Sequence, residues 1–182
     1  MRIYGDEVAK HYAIKTIENI TAQSMSAGIL FATLDYATEC LGIYNSSENE
    51  GLRTSAAVSI SHICKLNPII FPTIFESMSC KQYCVILSEG APRVQQALIT
   101  MLNIALTNPY SRLNDSLMEE PMFKEAMANL LENSNIIIKA KSILTILLLF
   151  KMNPNWIIVV DEFKFYSTCD RMSRDYSKYI QY

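Results

Sequence analysis

The sequence predicts an all-α protein assembled from similar helical units, and three observations support that prediction. Segments ending at Pro68, Pro109 and Pro154 each contain apolar residues at helical spacing, a basic residue near the start and an Asn-Pro pair just after the end. The asparagines of these pairs are 41 and 45 residues apart, and the 182 residues include only five glycines and six prolines. Helical units with this period are typical of armadillo and HEAT repeats. The predicted fold is therefore a right-handed α-solenoid of armadillo/HEAT-like helical repeats.

We predict a single solenoid of about four units in which the first unit matches the others least well. That unit would contain a helix over about Ala9–Ile20 and one longer helix over about Met25–Tyr44, because apolar residues return there at helical spacing. The polar stretch from Asn45 to Gly51 is predicted to be a loop. The four units are predicted at about 7–46, 50–107, 108–152 and 153–182, the last being a C-terminal capping helix.

The order of helices within a unit favours the armadillo type over the HEAT type. A long helix is predicted over about Arg53–Leu66, followed by a shorter helix containing Ile74 and a third at about Lys81–Leu87. Gly90 is predicted to close this third helix in the left-handed conformation. The next unit is predicted to repeat the order with helices over 111–117, 122–131 and 135–152.

Composition and charge restrict the class of partner. The chain carries 16 basic and 18 acidic residues, a net charge of −2, which does not point to nucleic acid or an anionic membrane as a partner. The most apolar run, Ile143–Phe150, is too short to span a bilayer, and the start of the chain lacks an apolar stretch of signal-peptide length. We therefore expect a cytoplasmic protein that binds other proteins, not nucleic acid or membrane.

No pattern in the sequence points to catalysis, a cofactor or a metal site. The histidines, His11 and His62, both fall in predicted helices, and His62 is predicted to be an interhelical or surface residue. The pair Cys80 and Cys84 has no second pair at zinc-binding distance, so the five cysteines are predicted to be reduced, structural thiols. Glycine-rich phosphate loops and kinase motifs are absent from the sequence. We predict a protein that is not an enzyme and takes no cofactor.

Basic residues recur at the starts of the long helices: Arg53, Arg93, Lys139 and Lys141. Cations near a helix N-terminus oppose the helix dipole by about 0.3–1 kcal/mol, so their recurrence indicates a use. We predict that they contact a partner protein. The alternative is that they keep an exposed edge soluble.

The last predicted helix, over about 155–180, combines an apolar stripe with a separate basic arc on its other side. One interpretation is a capping helix whose polar face meets solvent, and the other is a docking strip for an acidic protein surface. Asp175 interrupts the arc. The stripe comprises Phe165, Cys169, Met172, Tyr176 and Tyr179, and the arc comprises Lys164, Arg171, Arg174 and Lys178.

Several runs resemble one particular repeat region. The segment from Leu52 to Pro68, the run Arg93-Val-Gln-Gln-Ala, the run from Ile138 to Leu144 and the stretch Asp170–Asp175 are similar to the armadillo/HEAT region of the Fused-like pseudokinase group. That group includes the fourth Unc-51-like kinase and its plant relative RUNKEL. The resemblance implies a scaffold in microtubule, ciliary or flagellar assembly or in cytokinesis, located on the cytoskeleton or cilium. The kinase-like domain of the group is missing, so the resemblance implies no catalytic residue.

The function predicted from the sequence is a non-catalytic protein–protein interaction scaffold. The alternative is a regulatory repeat module that binds and localises a separate kinase-like chain. A transport adaptor of the importin type would need ladders of asparagine and tryptophan, whereas this chain has one tryptophan, Trp156.

Overall fold

The computed structural model of the chain describes residues 6–107, 117–157 and 165–174. Within these residues the secondary structure is helical and contains no strand. The chain divides into two compact units, with the division between Met78 and Ser79.

The first unit contains two long helices and several shorter ones. The helices are α1 (Glu7–Gln23), α2 (Met25–Gly28), α3 (Leu34–Ser46), α4 (Glu50–Leu66) and α5 (Phe71–Met78), with short 3₁₀ turns at Ile29–Phe31 and Pro68–Ile70.

The core of the first unit lies between α4 and the two helices that pack on it, α1 and α3. Ile14 of α1 and Ile63 of α4 are fully buried. The Nδ1 atom of His62 lies 3.3 Å from the backbone oxygen of Glu18, which places the imidazole between α4 and α1 as the sequence predicted. Glu18 is itself buried and forms a salt bridge of 2.9 Å with Lys15. The long helices of two successive repeats therefore pack directly against each other.

The second unit also combines long and shorter helices. Its helices are α6 (Cys80–Glu89), α7 (Pro92–Leu106), α8 (Pro121–Leu131), α9 (Ile136–Met152) and α10 (Phe165–Ser173), with a 3₁₀ turn at Pro154–Trp156.

Packing in the second unit places α7 against α9 and α6 against α8. Trp156 is fully buried and meets the ring of Phe123 edge to face, with 5.9 Å between ring centroids. Gln95, a residue of the Arg93-Val-Gln-Gln run, is buried on α7 and donates from Nε2 to the backbone oxygen of Leu87 over 3.0 Å. This bond ties α7 to the end of α6, which gives the run a structural role.

The Asn-Pro pairs form the corners that end the long helices. Helix α4 ends just before Asn67 and α9 just before Asn153, and a 3₁₀ turn begins at each following proline. The Asn67 side chain donates to the backbone oxygen of Ala32 over 2.8 Å. The predicted helix ends are confirmed at these two corners, while Asn108-Pro109 lies outside the described residues.

Two local predictions are wrong. The helix predicted over 25–44 is interrupted, because Thr33 adopts extended backbone and caps α3 by accepting a hydrogen bond from the backbone N–H of Tyr36. Gly90 has φ −66° and so is not left-handed. A side chain at position 90 would bring its Cβ within 2.5 Å of the backbone oxygen of Ile86, so the glycine is needed for space and not for its backbone angles.

Candidate protein-binding surface

A buried polar network joins α7 to α9 beneath the surface that the two helices share. The Asn103 side chain donates from Nδ2 to the backbone oxygen of Lys141 over 3.0 Å and accepts from Thr145 Oγ1 over 2.6 Å. Asn103 and Thr145 are both buried, so each bond satisfies a polar group that would be costly to bury without a partner. The network fixes the position of α9 relative to α7.

The charged residues of α7 and α9 are all cations. The Lys141 ammonium donates to Thr100 Oγ1, so Lys141 extends from α9 toward α7, and Arg93 is exposed at the start of α7. Lys139 is half-buried on α9, and Lys151 is exposed in its last turn. Helices α7 and α9 contain no carboxylate residue. Three predicted contact residues, Arg93, Lys139 and Lys141, therefore belong to two packed helices with a wholly positive set of charged side chains.

The caps of the long helices come from asparagine side chains. Asn49 accepts a hydrogen bond from the backbone N–H of Leu52 over 3.0 Å, and Asn135 accepts one from Ile137 over 3.0 Å. The basic residues near these helix starts are therefore not required as caps. Arg53, which lies in the first unit, packs its guanidinium 5.0 Å from the ring centroid of Tyr44, a cation–π contact within the chain.

Two further predicted contact residues, Arg171 on α10 and Arg174 just after its end, form exposed ion pairs. Arg171 is 3.5 Å from Glu132, and Arg174 is 2.8 Å from Asp170. Exposed pairs of this kind contribute about 0–1 kcal/mol to stability. The other two residues of the predicted basic arc, Lys164 and Lys178, lie outside the described residues.

An exposed apolar surface on α9 was not predicted. Leu144, Leu147 and Phe150 are 48 %, 49 % and 37 % exposed. Apolar residues occur on every side of α9, so the sequence pattern could not identify the exposed side.

The cysteines are free thiols in differing environments. Burial raises the pKa of Cys40 and of Cys64 to about 12 each. On α6, a hydrogen bond from the Cys84 thiol lowers the pKa of Cys80, which is partly exposed, and the same bond raises the pKa of Cys84. Within the described residues, no group of three or more metal-ligating side chains could hold a metal ion.

The described helices give no single segment that could cross a bilayer. Only α4 taken together with residues 68–78, a pair bent by 117°, is long and apolar enough by composition.

Comparison with curated proteins finds distant relatives. The chain is 24 % identical over 183 aligned residues to Serine/threonine-protein kinase RUNKEL of Arabidopsis thaliana, and 23 % identical over 171 residues to Serine/threonine-protein kinase ULK4 of Mus musculus. These alignments cover 97 % and 93 % of the chain but only 13 % of each relative. No protein family model matches the chain.

Comparison with solved structures confirms the predicted fold class. A designed armadillo repeat protein in complex with the peptide (KR)4 aligns over 98 % of the chain and 73 % of that protein, with a TM-score of 0.72 and 12 % identity. A second engineered protein aligns over 97 % of the chain and 70 % of its own length, with a TM-score of 0.71 and 12 % identity. The chain is an all-α, armadillo-type repeat protein, and together the comparisons support a repeat region related to the RUNKEL and ULK4 group.

Proposed function

We propose that the chain is a non-catalytic scaffold that binds a partner protein through the α7–α9 surface of its second unit. The observation that carries this proposal is the pair of packed long helices whose charged side chains are all cations: Arg93, Lys139, Lys141 and Lys151. A surface of one sign steers and selects an oppositely charged partner. The armadillo-type fold fits protein binding, because stacked repeats form an extended surface.

The chemistry of the surface indicates an acidic partner. The designed armadillo protein of similar fold is in complex with the basic peptide (KR)4. Here α7 and α9 carry the same sign as that peptide, so a segment rich in aspartate or glutamate would complement them. We propose the cytoskeletal or ciliary setting that the resemblance to the Fused-like group implies, in which the partner belongs to microtubule, ciliary or cytokinetic assemblies.

A regulatory module for a separate kinase-like chain is the second candidate. The observation that favours it is that both relatives are titled serine/threonine-protein kinases, while the chain spans only 13 % of their length. In this case the repeats would bind a kinase-like chain and determine its location.

The experiment is capture of partners by the tagged chain from its own cells, followed by mass spectrometry, with two matched double variants. Arg93→Glu with Lys139→Glu reverses two cations of the proposed surface. Lys65→Glu with Lys81→Glu makes the same change of charge at exposed positions on α4 and α6. We expect the first variant to lose the captured proteins and the second to retain them, with melting temperatures within a few degrees of the unmodified chain.

The identity of the captured proteins separates the two candidates. Cytoskeletal or ciliary proteins favour the scaffold, and a kinase-like chain favours the regulatory module. Equal capture by both double variants would refute the α7–α9 surface as the binding site.

A further inference from the structure

Helix α6 carries two cysteines one turn apart, and the proposed binding surface uses neither of them. Cys80 is the first residue of the helix and Cys84 lies four residues later, so their side chains are neighbours on one side of α6. The Cys84 thiol donates a hydrogen bond to the sulfur of Cys80. The helix therefore holds two sulfur atoms next to each other, as thiol–disulfide chemistry requires.

The two thiols differ in their access to solvent. Cys80 is partly exposed, whereas Cys84 is fully buried. In the first unit Cys40 and Cys64 are buried as well, and Cys169 on α10 is partly exposed. Cys80 combines access from solvent with a second thiol beside it, which is the arrangement of a redox-sensing cysteine and its resolving partner.

The hydrogen bond between the thiols also favours the reactive form of Cys80. The thiolate, and not the thiol, is the form of cysteine that attacks an oxidant. The bond from Cys84 lowers the pKa of Cys80, while partial burial and the carboxylate of Glu120 oppose this change with smaller effect. The same bond, together with burial, raises the pKa of Cys84, which keeps its proton. One sulfur is thus prepared to attack, and the other holds a proton for a leaving group.

The first turn of α6 is a part of the helix that can change while the rest stays in place. Its cap residue, Ser79, has φ 57° and ψ 148°, a strained conformation for a residue that carries a side chain. The cap bond from the backbone N–H of Gln82 to Ser79 Oγ is long, at 3.3 Å. At the other end of α6, the backbone oxygen of Leu87 accepts from the buried Gln95 of α7 over 3.0 Å.

A bond between the two sulfur atoms would require this first turn to move. Residues four apart on a helix have Cβ atoms about 5–6 Å apart, whereas the Cβ atoms of a disulfide are about 3.5–4.5 Å apart. Closing the bond draws Cys80 toward Cys84 and distorts the helix beside Ser79. Because Ser79 is already strained, a change of its backbone angles offsets part of the cost of that distortion.

We propose that Cys80 and Cys84 form a reversible thiol switch, which a peroxide oxidises to an intramolecular disulfide. With hydrogen peroxide, the Cys80 thiolate attacks one oxygen and the O–O bond breaks, which leaves a sulfenic acid on Cys80 and a hydroxide that takes a proton from solvent. The Cys84 sulfur then attacks the sulfenic sulfur. The S–S bond forms as the S–O bond breaks, and the departing hydroxide takes the Cys84 proton. Two thiols and one peroxide thus give one disulfide and two waters, and a dithiol reductant restores both thiols by exchange.

Treatment of the purified chain with an equimolar amount of hydrogen peroxide tests the switch, with intact mass and peptide mapping after alkylation as the readout. We expect the unmodified chain to lose two hydrogens, the disulfide to map to Cys80 and Cys84, and dithiothreitol to restore the original mass. Cys84→Ser should stop at the sulfenic acid on Cys80, which dimedone traps. Cys80→Ser should give neither product, and it should fold even if the buried Cys84→Ser does not, because Cys80 is partly exposed.

Cys169→Ser is the matched control, since Cys169 is also a partly exposed cysteine but lies on α10. This variant should form the disulfide on α6 as the unmodified chain does.

Hydrogen exchange measures the change in the first turn. The backbone N–H of Gln82 donates to Ser79 Oγ, and that of Tyr83 donates to the backbone oxygen of Ser79 over 3.1 Å. Oxidation should speed exchange at these two amides by about tenfold or more, because both bonds end at the residue that moves. The amides of residues 86–89 should keep their protection.

Three outcomes would overturn the proposal. The unmodified chain could resist oxidation, or it could retain a sulfenic acid on Cys80 beside a free Cys84 thiol, which would show that the pair does not close. The disulfide could instead join either of these cysteines to Cys169 or to another chain. Unchanged exchange at Gln82 and Tyr83 in the oxidised chain would contradict movement of the first turn.

Discussion

Helices α4 and α9 are equally long and both end at an Asn-Pro corner, with the long helix α7 between them in the chain, yet the less apolar of the two, α4, is the more deeply buried. Helix α4 contains three serines in its central part, and ten of its 17 residues are buried. Helix α9 is far more apolar, and only five of its 17 residues are buried. Position in the stack of helices, and not composition, therefore decides how much of a long helix is covered. The α4 helix is covered by α1, α2 and α3, whereas α9 keeps one open side.

The largest expected change in the free energy of unfolding comes from an Ala→Asp substitution in α4, and the same substitution in α9 should change it far less. Ala57→Asp places an unpaired charge on a side of α4 that is 3 % exposed, and we expect a loss of about 3–5 kcal/mol in the free energy of unfolding, or failure to fold. Ala140→Asp on the half-exposed part of α9 should cost only about 0.7 kcal/mol, the difference in helix propensity. Denaturant unfolding followed by circular dichroism measures both. Equal losses would show that the two helices do not differ in burial.

A second comparison measures the loss of stability on the buried and on the exposed side of α9. Leu149 is fully buried, and Leu149→Ala should cost about 2–5 kcal/mol because it removes apolar contacts and leaves a cavity. Leu147→Ala, half a turn away on the exposed side, should change the free energy of unfolding by about 0.5 kcal/mol or less. Chemical denaturation of both variants at low protein concentration provides the measurement. A large loss at position 147 would mean that this side is covered within a single chain.

Removing one bond of the polar network between α7 and α9 should lower the free energy of unfolding by a smaller amount. Thr145→Val removes the hydroxyl that donates to Asn103, and leaving that buried amide oxygen without its donor should cost about 1–2 kcal/mol. Thr16→Val is a matched control, because Thr16 is exposed and donates to the backbone oxygen of Tyr12, four residues earlier, as Thr145 does to that of Lys141. The control should change stability by about 0.5 kcal/mol or less. Similar losses in the two variants would argue against a role for the network in holding α7 to α9.

The smallest expected changes in stability come from Ser→Ala substitutions, and they should have opposite signs in α4 and α9. Among the buried side-chain oxygens and nitrogens of the described residues, Ser59 Oγ in α4 lacks a hydrogen bond, so Ser59→Ala should be neutral or stabilise by up to about 1 kcal/mol. In α9, Ser142 Oγ donates to the backbone oxygen of Ile138 over 2.8 Å, so Ser142→Ala should cost about 0.5–1 kcal/mol. Melting temperatures measured by calorimetry should shift in opposite directions, and a shared sign would contradict this account.

The repeat pattern predicted the long helices because their limits depend on local chemistry. Asn67-Pro68 ends α4 and Asn153-Pro154 ends α9, since proline cannot continue a helix and asparagine caps it. The interruption near residue 32 also had a local signal, Thr33 followed by Asp35, which is typical of a helix start. Continuous apolar spacing through this segment outweighed that signal and led to the wrong prediction of one helix.

The candidate surface was less predictable because it depends on contacts between helices. Recurrence in the sequence singled out Arg93, Lys139 and Lys141, but could not show that Lys141 extends to Thr100 above a buried Asn103. Spacing also could not tell that one side of α9 is exposed, since no polar residue marks it. Such features follow from which helix packs beside which, and that information is spread over residues distant in sequence.

The Asn-Pro corners also affect which asparagines deamidate when the protein is stored. Asparagine side chains deamidate when the backbone nitrogen of the next residue attacks the side-chain carbonyl and closes a succinimide ring, a step that requires an N–H at that nitrogen. Proline has none, so Asn67 and Asn153 are protected from this reaction by the same residue that ends each helix. Asn45 and Asn133 are each followed by serine and lack that protection. Long storage should therefore alter the end of α3 at Asn45 and the turn around Asn133 before it alters the corners that end the long helices.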